Sequence, residues 1–414
     1  MKKSSNILFY LICMYIFVLS IFPSKFNFKG IPFNGDIILA IIILVYFIKI
    51  FISKNTMQRF INGIRDFFTK WNSLFMLLWI GMMFISIIYA TDKRLALQES
   101  ARISTYAVLV FIIKYEITKK KYLDGIIYST TITCIIVGLV GIYQYFQGLG
   151  LKHVGKYDVV QRITSTIENS NNLGAYFVLI IFPFILLAIK EKNKIKKIFF
   201  MLTVIISLLN IILSFSRNAW LALIIGYITL IFVYNFKLIY GAILGSGVAL
   251  CIPTISHRLK EIGDLSQNLS RISLWEIAIK MIKDKPLLGV GNGNYRTLYI
   301  EYYKKIKRIG DYKAHEKFHP HNAYLKAQCE LGIIGSVSLI GFLVTSFLKV
   351  NKFSNKINDN FYKYFYKGFT ASVVAFMFMN VIDNFFSAPK VVAFFFIFLA
   401  VCHSYEYNLE EKNI

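Results

Sequence analysis

Charge is what this chain has least of. Of its 414 residues only 17% are Asp, Glu, Lys or Arg, while 56% are hydrophobic and 16% aromatic. That balance excludes a soluble enzyme and fits a polytopic membrane protein. Acids are the scarcer sign, with 22 Asp and Glu against 47 Lys and Arg, a net charge of +25. Cysteine is sparse as well. Cys13, Cys134, Cys251, Cys329 and Cys402 have no paired spacing and lie in or beside apolar runs. They read as small core residues rather than a disulfide framework or a thiolate metal site. There is no long low-complexity tract and no clear internal repeat. No motif of a DNA- or RNA-binding module accompanies the basic residues, so nucleic acid is not expected as a partner.

What is present is long apolar sequence. A bilayer core of about 30 Å asks for roughly 20 apolar residues per helix, and about twelve stretches qualify. The first nine are Asn6–Phe22, Asp36–Ile52, Asn72–Ala90, Arg102–Ile117, Gly125–Phe146, Asn172–Ile189, Lys197–Phe215, Asn218–Tyr234 and Leu238–Ile255. Leu331–Leu348, Tyr364–Phe386 and Val391–Ser404 complete the set. Lys2 and Lys3 precede the first run as in a signal peptide, but no small-x-small cleavage site follows, so it reads as a span. The expected fold is therefore an all-α membrane protein with about twelve helices and a large loop between the ninth and tenth. Residues 1–255 hold nine spans, 256–325 a polar loop, and 326–414 the last three.

Lysine and arginine set the expected orientation. Lys54, Arg59, Arg65 and Lys70 share one short loop, and Lys119 to Lys121 mark the next alternate one. Lys190, Lys192, Lys194, Lys196 and Lys197 mark a third, and Lys349, Lys352 and Lys356 a fourth. All four fall on the cytoplasmic side if both termini do. The loop Ser256–Leu325 and the shorter Gln147–Asn171 then lie outside. Topology does not explain the basic surplus of the long loop, which includes Arg258, Arg271, Arg296, Lys304, Lys305, Lys307 and Arg308. It asks for an anionic partner, phosphate or anionic membrane lipid.

Four places carry chemistry. Ser216 is placed to cap the helix after a minimal loop, which leaves Arg217 in the first turn, where guanidinium and amide hydrogens make an anion site. Snorkelling of Arg217 to lipid head groups is the plainer alternative. Arg271 opens a stretch with Ile272, Trp275, Ile279 and Ile282 at helical spacing, an expected amphipathic surface helix. The run Gly289-Val290-Gly291-Asn292-Gly293 then makes a turn, not a P-loop, because no Gly-Lys-Ser/Thr follows. Arg162 sits among amides suited to sugar or phosphate, or simply in a loop.

The fourth place is His319-Pro320-His321-Asn322, where the chain re-enters the membrane. His321 is a candidate base, since a neutral imidazole accepts a proton from a sugar hydroxyl. Its plainer role is to cap the tenth span. Glu330 lies nine residues on, and Asp383 near the end of the eleventh span is a candidate partner for an arginine. His315-Glu316-Lys317-Phe318-His319 spells the zinc-protease motif, but that motif works only on a continuous helix and Pro320 ends one. About twelve spans also fits a transporter or flippase, for which a large basic loop with histidines is atypical.

His321-Asn322, nine residues, then Gly332-Ile333-Ile334-Gly335 resembles the signature of the O-antigen ligase and O-antigen polymerase superfamily. Ser336 is a mild departure from its usual ending. Ser216 to Trp220 resembles the serine–arginine turn of that superfamily. Arg271 to Gly291 resembles the start of its large external loop, and Arg162 to Leu173 another external loop. The resemblance implies a GT-C-like, metal-independent, inverting glycosyltransferase of the bacterial cytoplasmic membrane, without cofactor. The glycan donor would be linked to undecaprenyl pyrophosphate, and the acceptor would be a glycan or glycolipid hydroxyl. Arg217 and Arg271 would stabilise the pyrophosphate leaving group, and His321 would activate the acceptor. Arg162, His319, Asn322 and Arg296 would contact substrate.

Overall fold

The computed structural model describes residues 4–24, 26–28, 31–154, 159–260, 269–305 and 319–412. Sixteen α-helices dominate them. The first six are α1 Ser4–Ile21, α2 Gly35–Ile52, α3 Lys54–Thr69, α4 Trp71–Ile85, α5 Lys93–Glu116 and α6 Lys120–Phe146. The next five are α7 Ser170–Lys190, α8 Lys194–Leu213, α9 Arg217–Val233, α10 Ile239–Cys251 and α11 Pro253–Lys260. The rest are α12 Leu269–Asp284, α13 Tyr295–Lys305, α14 Ala323–Lys356, α15 Asn360–Ile382 and α16 Pro389–Lys412. Two antiparallel hairpins interrupt them: β1 Asn27–Phe28 with β2 Ile31–Pro32, and β3 Leu151–Val154 with β4 Val159–Arg162. Arg162 thus closes a hairpin rather than an irregular loop, paired in register with Leu151.

Each expected apolar stretch is helical over most of its length. Among the described residues eight helices are long and apolar enough to cross a membrane, or nine if α3 and α4 count as one bent span. Three further apolar helices are shorter, Ile7–Ile21, Arg217–Val233 and Phe236–Gly245. The figure of about twelve counted runs of composition alone; length separates the short helices from the rest.

The centre of the bundle is α7, α15 and α16. Over four fifths of the apolar window of α7 is buried against protein, and nearly as much of α16. α15 packs on α7, α14 and α9, and α14 packs on α4. Rings from α15 and α16 fill the core: Phe376 stacks on Phe395 at 4.7 Å and Phe369 meets Phe398 edge-on at 5.4 Å.

Two elements differ from the sequence expectation. The polar run after α2 is not a loop but the helix α3, bent by 89° from α4. Its buried residues are Thr56, Gly63 and Phe67. The tenth span starts early: α14 begins at Ala323 and breaks at Gly332, whose φ of 66° is left-handed. A side chain there would strike the Leu287 carbonyl, so only glycine lets the chain bend against that turn. On α12 the stripe Leu274, Ile277, Ala278 and Met281 is buried against protein, which leaves Ile272, Trp275, Ile279 and Ile282 outside that core stripe. α13 and Cys329 of α14 cover that face with Tyr295, Tyr299 and Tyr302, making a second small core. Of the cysteines, Cys134, Cys329 and Cys402 are buried, whereas Cys251 is exposed and Cys13 partly so.

Candidate functional site

The site forms where four helix ends converge. Asn322 caps α14, its side-chain oxygen accepting from Tyr324 N at 3.0 Å and Leu325 N at 2.9 Å. The cap is therefore Asn322 and not His321, and the oxygen of Asn322 is committed to backbone. His321, one residue earlier, has φ 46°, an uncommon left-handed conformation for a side-chain-bearing residue. Its surroundings hold it there. Trp275 Nε1 on α12 donates to Pro320 O at 2.9 Å, and Ala323 N donates to Asp383 O at 3.2 Å. Strained residues of this kind persist only where neighbours over-determine them, commonly at functional sites.

That placement brings His321 Nδ1 to 2.8 Å from Asp383 Oδ1, across 62 residues of sequence. Asp383 ends α15 and was expected to pair with an arginine; its bonded partner is histidine, because α14 starts against the end of α15. Burial alone would raise the Asp383 carboxyl. The hydrogen bond and charge of His321, the Asn384 N–H and the charge of Arg271 outweigh it and hold the group below the usual carboxylate range. An ionised carboxylate only accepts, so Nδ1 carries the proton and the lone pair of a neutral ring is on Nε2. His319 lies alongside, with ring centroids 4.1 Å apart. Burial and the neighbouring charges of His321, Lys326 and Arg296 push His319 down to about 4, against a smaller opposing pull from Asp383.

The donor atoms of His319, His321 and Asp383 lie within 4.8 Å of one another, a spacing that could hold a metal ion. The hydrogen bond between His321 and Asp383 already uses two of the three. His315, Glu316, Lys317 and Phe318 of the protease-like spelling lie outside the described residues. His319 itself is in non-helical backbone, whereas that motif needs a helix.

The arginines arrive on two sides. Ser216 caps α9, accepting from Ala219 N at 3.4 Å, and Arg217 is the first helical residue, as its sequence implied. Arg162 braces the same turn: its Nε donates to Ser214 O at 2.9 Å and an Nη to Asn171 Oδ1 at 2.7 Å. Asn218, next to Arg217, donates to Met379 O at 3.1 Å, the carbonyl that also accepts from Asp383 N. The α9 turn and the histidine site are thus anchored on one point of α15. Arg271, in the first turn of α12, and Arg296, exposed at the start of α13, act on the other side through their charges on Asp383 and His319.

The glycine-rich turn is structural. The buried carboxylate of Glu330 accepts from Gly293 N at 2.8 Å and Tyr295 N at 3.3 Å. The Asn292 side-chain amide donates to Ser100 Oγ at 3.0 Å, and its backbone N–H donates to Ser86 Oγ at 3.0 Å. Val290 N and Gly291 N donate to the carbonyls of Cys329 and Glu330, each at 2.9 Å. Glu330 thereby ties the loop to the break in α14. Its role was not read from sequence, although an acid nine residues after the histidine and two before Gly332 was visible there.

Fold and site together define a multi-pass, all-α membrane protein whose polar site gathers at helix ends. Residues 202–340, about a third of the chain, match the family model described as O-Antigen ligase. An uncharacterized protein of Haemophilus influenzae is 24% identical over 364 residues, 81% of this chain and 82% of its own. The exopolysaccharide production protein ExoQ of Rhizobium meliloti is 32% identical over 80 residues, 19% of this chain and 18% of its own. A ComP-specific O-oligosaccharyltransferase of Acinetobacter baylyi is 21% identical over 212 residues, covering 47% of this chain and 37% of that protein. The chain thus spans well under half the length of the two named relatives. These likenesses support polysaccharide ligation or polymerisation in a membrane.

Proposed function

We propose that the protein transfers a glycan from an undecaprenyl-pyrophosphate carrier to an acceptor hydroxyl, as a ligase or polymerase of surface polysaccharide. The observation that carries this reading is the His321–Asp383 pair at 2.8 Å, with His321, Arg217 and Arg271 inside the stretch that matches the O-antigen ligase model. Asp383 orients the ring and leaves Nε2 to take the acceptor proton. The acceptor oxygen then attacks the anomeric carbon from the face opposite the leaving group, which inverts that centre. The bond from that carbon to the pyrophosphate oxygen breaks, and negative charge grows on the phosphate. Arg217 and Arg271 stabilise that charge, with Arg162 holding the turn that presents Arg217. His319 and Arg296 contact substrate at the rim. Guanidinium charge supplies what a divalent ion would, and the reaction runs without metal. The amino terminus is cytoplasmic and the site faces the extracytoplasmic side of the cytoplasmic membrane, where a lipid carrier presents its head group.

The test uses purified protein in detergent with EDTA, an undecaprenyl-pyrophosphate-linked oligosaccharide, and product analysis with and without a lipid acceptor. The expected result is a new glycosidic bond formed at full rate under EDTA and lost in His321→Ala and Arg217→Ala. Activity that EDTA removes and a divalent ion restores would make His319, His321 and Asp383 a metal site. Movement of the oligosaccharide across liposomes without a new bond would make the protein a flippase.

A further inference from the structure

The helix α3 runs at right angles to its neighbour. It is bent by 89° from α4, and α4 packs along α14, one of the helices long and apolar enough to cross a membrane. A helix perpendicular to a crossing helix lies along the membrane surface. Its level follows from α5, whose 24 residues span about 36 Å at a rise of 1.5 Å each, the width of a bilayer. One end of α5 reaches towards the histidine site, where Arg102 donates to the carbonyl of Phe386, three residues after Asp383. The other end holds Glu116, bonded to Arg59 of α3, and Lys114, bonded to Asp66 of α3. α3 therefore sits at the membrane face opposite the His321–Asp383 pair.

Three stripes run along α3. Thr56, Gly63 and Phe67 are buried and turn towards α5, since a Cβ on Gly63 would lie 2.9 Å from the rings of Phe111 and Tyr115. Ile61, Ile64 and Phe68 recur at helical spacing as a second, apolar stripe that protein leaves open, with Phe68 62% exposed. Gln58, Asn62, Arg65 and Thr69 make a third, polar and exposed. A helix between protein and water needs two faces; a third is called for where lipid takes one. The charges sort in the same way. Asp66 is the only acid of α3 and is bonded inward to Lys114 and Tyr115, as Arg59 is to Glu116. The charges left facing outward are Lys54 and Arg65, both exposed and about three turns apart on one edge of the apolar stripe. Trp71, 68% exposed, follows at the end of the helix, a residue type suited to head-group level. We propose that α3 is a surface helix that binds anionic phospholipid in the leaflet opposite the histidine site. Ile61, Ile64 and Phe68 enter the acyl chains, and Lys54 and Arg65 hold the phosphate head groups. The partner is a lipid surface and not a free phosphate, which would leave the apolar stripe beside the cations uncovered.

The test reads each stripe with a tryptophan reporter in the full chain, reconstituted in phosphatidylcholine vesicles. Trp71→Phe is the parent, and Trp79, Trp220 and Trp275 are common to every sample. Phe68→Trp reports on the apolar stripe; Thr69→Trp and Asn62→Trp each report on the polar one. Each signal is the fluorescence difference from the parent, quenched with phosphatidylcholine brominated in its acyl chains. The Phe68→Trp signal is expected to be quenched severalfold more than either polar-stripe signal. Equal quenching of the two stripes, or a Phe68→Trp signal that no lipid reaches because a second copy of the chain covers it, would overturn the proposal. Brominated phosphatidylglycerol, at the same low mole fraction, is expected to quench the Phe68→Trp signal more than brominated phosphatidylcholine does. A cation near an anionic surface is worth about fivefold in association. Arg65→Gln is expected to cut the preference for phosphatidylglycerol by about that factor, and Lys54→Gln added to it to abolish the preference. Quenching by brominated phosphatidylcholine should stay unchanged in both, which shows the helix still seated. An undiminished preference in the double variant would mean that Lys54 and Arg65 hold no head group, and the inference falls.

Discussion

α5 carries ion pairs near both ends, fully buried at one and half-buried at the other, and they are built differently. At its last turn the Glu116 carboxylate is fully buried and both oxygens are taken, by Lys49 at 2.7 Å and by Arg59 at 3.0 Å. Beside it Asp66 is bonded to Lys114 and accepts from Tyr115 Oη at 2.7 Å. These bonds tie the bent helix α3, and α2 as well, to the end of α5. Nearer the start of α5, Glu99–Arg102 and, on α14, Lys326–Glu330 at 3.7 Å instead border a cavity, and the Trp79 indole N–H has no acceptor among the described residues. Burying an ion pair is tolerable when every hydrogen bond is filled. The filled end holds the fold together; the incompletely filled end lies beside the His321–Asp383 pair. Similar residues thus serve a joint in one place and line a candidate site in the other.

The sharpest way to break this contrast is to cut one bond at each end. Asp383→Asn is nearly isosteric and still accepts from Asn384 N, so the fold is expected to hold. Losing the fixed proton on Nδ1 is expected to lower kcat by roughly 10²- to 10⁴-fold, the usual scale for a positioned base. Thermal melting in detergent should move by no more than a few degrees. A variant that melts far earlier, or turns over at the wild-type rate, would remove Asp383 from the chemistry. At the other end Glu116→Gln leaves Lys49 and Arg59 with no counter-charge. It is expected to cost about 3–5 kcal/mol of stability. Turnover per folded molecule should be unchanged, which is measured as activity normalised to the folded fraction. Lost turnover with intact folding would show that the joint reaches the site.

Much of the helical layout could be read from the sequence, because about twenty apolar residues in a row have few alternatives. The α9 turn could be read too: Ser216 before Arg217 is a cap with a mechanism. Elsewhere the reading failed for identifiable reasons. α3 looked like a loop because lysines and arginines drew attention to topology. Met57, Phe60, Ile61, Ile64 and Phe68 recur there at helical spacing and were available as a signal. Along α12 two apolar stripes run, and the packing of α13 and Cys329 alone decides which of them protein covers. The partner of His321 was out of reach, since a contact between positions 62 apart is set by where α14 and α15 meet. Gly332 was known as a spacing mark, but its left-handed φ and the Leu287 carbonyl beside it belong to packing.

The smallest expected effect separates the two histidines. His319 is held down to about 4 by burial first and then by His321, Lys326 and Arg296, so the folded protein keeps it neutral. An unfolded histidine titrates near 6.5. Between the two values the unfolded chain binds more protons, so stability rises with pH there. The contribution of His319 is complete above about pH 6.5 and is lost as pH falls towards 4. Asp383, depressed below its ordinary value, acts in the same direction but only below that window. His319→Gln is therefore expected to flatten the rise of melting temperature between pH 4 and 6.5. The difference should be on the order of 1–2 kcal/mol once partial exposure is discounted. Equal slopes for variant and wild type would mean that His319 titrates normally. The basic flank of Arg296 and Lys326 would then exert no field at the histidine site, and the contrast between the two ends of α5 would rest on the cavity alone.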